Sequence, residues 1–201
     1  FSLDPELLDG LWGDMVTETL PGLLLGTCGG STERIRALAD DDSVFLFTRW
    51  AAFEALAMAV VAGIADRDET LAFVAAQLRS AIDRDDYELG DIAACTLYEL
   101  WPGGHIELLR EAFEAEVCDP GTVSWRSIEA SKAAGLERAM ERLQRRLDRA
   151  LPGDPHNYVS WMPCFRPVRK RRPKPGPRPR PVVLSETAQR AVQAQKKRKK
   201  Q

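Results

Sequence analysis

The longest helical pattern in the chain is VFLFTRWAAFEALAMAVVAG at residues 44–63. Its bulky apolar side chains recur at spacings of three and four, which places them on one face of a helix. They are Trp50, Phe53, Leu56 and Val60, followed by Ile64. We predict a helix at the centre of a hydrophobic core. No membrane span is expected, because the longest apolar run, at residues 51–65, is shorter than about 18 residues and carries Glu54.

The same spacing continues on both sides of this segment. Three helix starts are indicated by Asp4 before Pro5, by Ser31 after two glycines and by Asp66, because their side chains accept hydrogen bonds from the first amides of a helix. No long alternating run of β-branched residues suggests a strand. We predict helices over about residues 5–8, 15–25 with a break near Pro21, 32 onwards, 44–63, 67–83, 89–101, 106–117, 124–134 and 136–151.

The predicted fold is all-α, a HEAT-like α-solenoid of stacked helix pairs. Successive helices joined by short turns, each with one apolar stripe, bury that stripe against their neighbours in such repeats. A globular helical bundle stays open as an alternative, because no repeat motif aligns. In the last helix we predict an outward pair of Glu141 with Arg145 and four inward residues, Leu136, Met140, Leu143 and Leu147.

Charge divides the chain into two predicted domains. Residues 1–165 contain 14 Lys and Arg against 29 acidic residues, a formal charge near −15, whereas residues 166–201 contain 14 basic residues and one acid, a charge near +13. Proline occupies every second position from Pro173 to Pro181. We predict an acidic helical body followed by a disordered, basic, proline-rich C-terminal tail, because such a composition forms no packed core.

The tail suits an extended contact with a phosphate backbone. Clustered Lys and Arg give salt-sensitive affinity for RNA or DNA without reading sequence. Two other interpretations stay open, a tail that binds its own acidic body and a tail that only aids solubility. The residues predicted to bind nucleic acid or an acidic partner are Arg169, Lys170, Arg171, Arg172, Lys174, Arg178, Arg180, Lys196, Lys197, Arg198, Lys199 and Lys200.

Signatures of common catalytic and metal sites are missing from the sequence. The four cysteines and two histidines form no close pairs of zinc ligands, and the glycine-rich segment at residues 26–32 lacks the lysine and spacing of a phosphate loop. Acidic clusters at residues 40–42, 66–69 and 83–86 are assigned to helix starts, where acids cap amides and complement the helix dipole. If helix pairs stack, these turns could line one acidic edge. We predict no catalytic residue, no cofactor and no metal.

Five short motifs point to a family. They are LWGD at residues 11–14, TETLP at 17–21, RWAAFEAL at 49–56, DPG at 119–121 and SWMPCF at 160–165. In this order they resemble the bacterial domain-of-unknown-function family 1186 over about residues 3–165. The resemblance implies a HEAT-like helical fold and no established activity. Many members carry a C-terminal Cys-rich zinc motif, but no cysteine follows Cys164 here, so zinc is not implied and the basic tail takes its place.

These observations favour a non-enzymatic interaction or scaffold protein, whose body binds protein partners while its tail contacts nucleic acid. An enzyme that uses the acidic clusters in a helical groove is the competing hypothesis. Scattered cysteines without a Cys-x-x-Cys pair favour a reducing cytoplasm.

Overall fold

The computed structural model describes residues 7, 10, 12–151, 162, 189, 190 and 196. Within these residues the fold is all-helical and contains no strand, which confirms the predicted class. The helix predicted at residues 5–8, most of the tail and the domain boundary at residue 165 lie outside the described residues. No described helix is both long enough and apolar enough to cross a membrane.

Residues 15–150 contain nine α-helices and one 3-10 turn, joined by short connections. The helices are α1 Met15–Glu18, α2 Leu20–Thr27, α3 Glu33–Asp40, α4 Leu46–Val61, α5 Arg67–Arg84, α6 Tyr87–Glu99, α7 Ile106–Glu114, α8 Trp125–Ala134 and α9 Leu136–Ala150, with the 3-10 turn Gly103–His105 between α6 and α7.

Helix α4 lies at the centre of the body, as its pattern predicts. Phe53 and Leu56 are fully buried, and the Phe53 ring lies 6.0 Å from that of Phe73 on α5. Alanines fill most of the remaining buried positions of α4, so neighbouring helices approach it closely on several sides. Its packing partners are α1, α2, α3, α5, α6 and α9.

The other helices pack partly with their neighbours in sequence and partly across the body. The consecutive helices α3 and α4, and then α5 and α6, are joined by short turns and pack against each other, and α7 continues onto α5 and α6. Helix α9 packs on α8 but also returns to α2 and α4. A linear solenoid has contacts only between adjacent repeats, so this return closes the helices around α4.

Helix boundaries follow local capping chemistry. Asp66 accepts a hydrogen bond from the Glu69 amide at 2.9 Å, which confirms the predicted cap of α5. The break near Pro21 is also confirmed, since α1 ends at Glu18 and α2 begins at Leu20. The predicted cap at Ser31 was wrong by one residue, because Thr32 occupies the N-cap position of α3 while the Ser31 hydroxyl accepts from the Glu33 amide at 3.3 Å.

Two further expectations need correction. Asp40 is the last residue of α3, so the acidic cluster at 40–42 follows a helix end rather than opening a helix. Leu136 was predicted to face inward but is 38% exposed, because it is the first residue of α9 and extends past the packed face. The other predicted inward residues of α9 are buried or half-buried, and Glu141 lies 3.9 Å from Arg145 on the outer face.

Two glycines permit close crossings that fix distant segments. A Cβ at Gly90 of α6 would lie 2.1 Å from the Val117 carbonyl oxygen, and one at Gly22 of α2 would lie 2.7 Å from that of Ala150 on α9. Beside Gly90, Asp91 accepts hydrogen bonds from the Asp119 amide at 3.2 Å and the Thr122 hydroxyl at 3.0 Å. The segment after α7 is therefore held against the first turn of α6.

Candidate functional site in the groove beside helix α9

A half-buried ion triad joins three helices. Arg146 of α9 donates hydrogen bonds to Glu54 of α4 and to Glu99 of α6, the latter at 2.5 Å. The Glu54 and Glu99 side chains are only 14% and 25% exposed. Two carboxylates that are 45 residues apart in sequence thus share one guanidinium at the point where α9 covers α4 and α6.

Burial controls the protonation of this triad. It raises the pKa of Glu54, and the neighbouring Glu99 charge raises it further, although Arg146 opposes both effects. Burial likewise raises the pKa of Glu99 against the opposing charges of Arg146 and Arg142. One guanidinium therefore does not offset the cost of withdrawing two carboxylates from water.

Open grooves flank the triad on both sides of α9. The larger has a volume of about 450 Å³ and is lined by Tyr98, Glu99, Arg142, Leu143, Arg146 and Arg149. The smaller, of about 330 Å³, lies toward α1 and α2 and is lined by Thr17, Glu18, Pro21, Glu54, Met58, Arg146, Arg149 and Ala150. Arg146 and Arg149 border both grooves, so the α9 arginines dominate this surface.

Arg142 is held by neutral partners at the edge of the larger groove. Its Nη2 donates to the Ser131 hydroxyl at 2.9 Å, and its guanidinium carbon lies 5.6 Å from the centre of the Tyr98 ring. These contacts fix the side chain without neutralising its charge. Arginine donors in a fixed orientation are suited to carboxylate or phosphate groups.

Two cysteines of the helical body have raised thiol pKa values. Burial raises the pKa of Cys95 to about 12, with the Glu99 charge as the next cause, and burial raises the pKa of Cys118 to about 12 as well. Both thiols are free and stay protonated near neutral pH. They pack as small apolar residues within the helical body.

A comparison with protein-family models identifies the chain. The model described as "Protein of unknown function (DUF1186)" matches residues 1–166. The chain belongs to this family. No significant match to a curated protein or to a solved structure was found. The DUF1186 region contains every residue that lines the two grooves, so the ion triad lies within the family domain.

The predicted acidic clusters of the DUF1186 domain lie at helix ends and on the adjoining turns, and their side chains are largely exposed. Asp42 pairs with Arg49 at 3.0 Å and with Arg84 at 2.7 Å, and the hydrogen bond from Arg84 lowers the pKa of its carboxyl. Asp86 caps α6 by accepting from the Leu89 amide at 3.0 Å. These contacts leave the hypothesis of an enzyme based on the acidic clusters without a buried carboxylate.

The clusters do not share a single edge. Asp42 and Arg84 join the turns at residues 41–45 and 85–86, so two clusters meet at one end of the helices. The third lies at the other end, where Arg67 donates to the Leu100 carbonyl at 3.1 Å beyond the end of α6. Stacking therefore brings two of the three acidic clusters together. The sequence alone did not show which clusters lie at the same end of the helices.

The predicted tail residues are almost entirely outside the described part of the DUF1186 chain. Of the twelve, only Lys196 is described, and it is helical and exposed. Its role in binding stays a prediction. Among the described residues no group of three or more His, Cys, Asp or Glu side chains is arranged to hold a metal ion.

The triad and its arginines were missed by the sequence interpretation. One signal was available, since Glu54 is the only acid in the apolar segment 44–63 and a buried acid needs a cationic partner. A second was the spacing of Arg142, Arg146 and Arg149, which places them on one face of α9. Neither signal says which helices meet.

Proposed function

We propose that the protein is a non-enzymatic interaction protein of the cytoplasm, in which the helical body binds protein partners and the basic tail contacts RNA or DNA without sequence specificity. The observation that carries this proposal is the separation of charge, near −15 over residues 1–165 and near +13 over residues 166–201. A cationic segment of this density attracts phosphate backbones through counterion release.

The geometry of the body supports a binding role. Its half-buried carboxylates, Glu54 and Glu99, are both occupied by Arg146. The buried Asp91 accepts from the Asp119 amide and the Thr122 hydroxyl. On the turns, Asp42 pairs with arginines and Asp86 accepts from a helix amide. General acid or base catalysis needs a carboxyl that faces a substrate. The packed pairs α3 with α4 and α5 with α6 support a HEAT-like surface for a protein partner.

A salt titration tests the nucleic-acid role. If the tail makes six to ten phosphate contacts, affinity for single-stranded RNA or DNA falls by roughly 10³–10⁵ between 50 and 200 mM salt. Fluorescence anisotropy with two unrelated oligonucleotides measures the salt slope and the absence of sequence preference.

The matched controls act on the tail alone. A chain that stops after Phe165 should lose binding. A second variant replaces five basic residues by Gln: Lys196, Lys197, Arg198, Lys199 and Lys200. Its salt slope should fall by the contribution of up to five phosphate contacts. Binding that is independent of salt, or that survives removal of residues 166–201, contradicts the proposal.

A further inference from the structure

Arginines in the body are usually paired with carboxylates, as expected where acids are about twice as numerous as bases. Among the described residues, eight form ion pairs within 4.0 Å: Arg49, Arg67, Arg79, Arg84, Arg110, Arg138, Arg145 and Arg146. The other five in the body have no carboxylate of the described part within that distance: Arg34, Arg36, Arg126, Arg142 and Arg149. Of these, Arg142 and Arg149 lie on α9. Both border the larger groove beside α9.

The spacing of these two arginines defines a cationic face. Arg142, Arg146 and Arg149 follow the i, i+4, i+7 pattern, so they lie along one side of α9 over about 10 Å. Glu54 and Glu99 take up the charge of the central Arg146. The outer two guanidinium groups keep their charge and most of their donors, while Glu99 is the only acid that lines this groove.

The packing around α9 orders the Arg142 side chain and the backbone next to Arg149, whose own side chain is exposed. Ser131 and Tyr98 position Arg142, the former at 2.9 Å. Arg149 precedes Ala150, whose backbone lies against Gly22 of α2 so closely that no Cβ fits between them. Because the Arg142 donors are fixed before the ligand arrives, that side chain loses less conformational entropy on binding.

We propose that this groove binds a small anion with at least two phosphate or carboxylate groups, which are held by Arg142 and Arg149. The volume of about 450 Å³ is within the range of small-molecule sites. Arginine donates two parallel hydrogen bonds to either type of oxyanion, which accounts for both chemistries. Such a ligand is independent of the nucleic-acid contact assigned to the tail.

Thermal unfolding of the full chain with pyrophosphate or with citrate tests this site. A ligand stabilises a protein only through sites that exist in the folded state and not in the unfolded state, so binding to the tail does not register. At about 100 times its dissociation constant, at least one of the two anions should raise Tm by about 5 °C or more above NaCl of equal ionic strength. The anion that acts distinguishes a phosphate ligand from a carboxylate ligand.

Three variants separate the site from general salt effects. Arg142→Gln with Arg149→Gln should abolish the rise in Tm and weaken binding in calorimetry at least tenfold, while Arg145→Gln, whose side chain pairs with Glu141 and does not line the groove, should keep both. Arg149→Gln alone keeps the contacts of Arg142 and should lose part of the rise in Tm, with an unchanged circular dichroism spectrum.

The proposal is overturned if neither anion raises Tm, or if the rise is equal in all variants. Loss of nucleic-acid binding on removing the tail would not affect it.

Discussion

Position 90 tolerates only a hydrogen atom as its side chain. It lies in the first turn of α6, where the Val117 carbonyl crosses close to the helix. The glycines at positions 103 and 104 could be recognised from sequence as a helix end next to Pro102. Gly90 could not, because the atom that excludes a side chain belongs to a residue 27 positions later. Its requirement comes from tertiary contact and not from backbone conformation.

Gly90→Ala is expected to destabilise the body. A methyl group would lie 2.1 Å from the Val117 oxygen and 3.0 Å from the Val117 Cβ, so backbone must move. We expect a loss of about 3 kcal/mol in the free energy of unfolding, at the upper end of overpacking effects, measured by urea denaturation. Gly104→Ala is the matched control, because nothing lies within 4 Å of its added Cβ. Equal stability of the two variants would contradict the crossing.

At the scale of elements, α9 closes the fold through one cation. Its inner face brings Arg146 between the carboxylates of α4 and α6, whereas its outer face carries the exposed pairs of Glu141 with Arg138 and Arg145. The outer pairs contribute little, since exposed ion pairs are worth about 0–1 kcal/mol. The inner triad sets where α9 can dock, because any other position leaves buried carboxylates unpaired.

Arg146→Gln should reduce stability in a manner that depends on pH. Without the cation, the pKa values of Glu54 and Glu99 in the folded protein rise further above the ordinary value of 4.5. The folded state then binds more protons than the unfolded state, so the penalty is full above the raised pKa values and is lost as pH falls toward 4.5. We expect the free energy of unfolding to fall by about 2 kcal/mol at pH 7.5. This is less than for a fully buried pair, because the Arg146 side chain is 31% exposed and solvent screens its charge.

Urea denaturation at pH 7.5 and pH 5 measures this difference. The loss should be clearly smaller at pH 5, while Arg145→Gln should change stability little at either pH. An equal loss at both pH values would mean that Arg146 acts through packing of its side chain and not through the two carboxylates.

The sequence predicted the helices better than the contacts between them. Asp66 caps α5 as predicted, since an N-cap depends on an amide three residues away. Asp40 and Leu136 were placed incorrectly because each lies at a helix terminus, where the boundary decides the environment. The groove beside α9 needs Glu54, Glu99 and Arg146 together, and their contact depends on how α9 returns to α4, which helical periodicity does not encode.

At the scale of the whole molecule, the opposite charges of the two predicted domains set up a competition. A polyanion that approaches the tail also meets a body with a formal charge near −15. If the tail binds nucleic acid as proposed, repulsion from the body and attraction between body and tail would both weaken that binding, and salt would screen both effects beyond about 10 Å at 0.1 M.

A peptide of residues 166–201 should therefore bind single-stranded RNA more tightly than the full chain does. We expect a difference of roughly tenfold at 50 mM salt, about 1.4 kcal/mol, which shrinks as salt is raised toward 300 mM. Fluorescence anisotropy measures both affinities, and a scrambled peptide of the same composition should bind equally well. Tighter binding by the full chain would show that the body adds favourable contacts of its own.

The close crossing of Gly22 and Ala150 also has a consequence for biosynthesis. Helix α2 is among the first parts of the body to leave the ribosome, and α9 is the last. Until α9 has been translated, the faces of α2 and α4 that it covers stay open to solvent, and Glu54 and Glu99 lack their cation. Contacts between residues so distant in sequence form late and slowly. Helix α9 therefore docks only after residue 150 has been synthesised, and until then the nascent chain exposes the apolar faces of α2 and α4 that α9 covers.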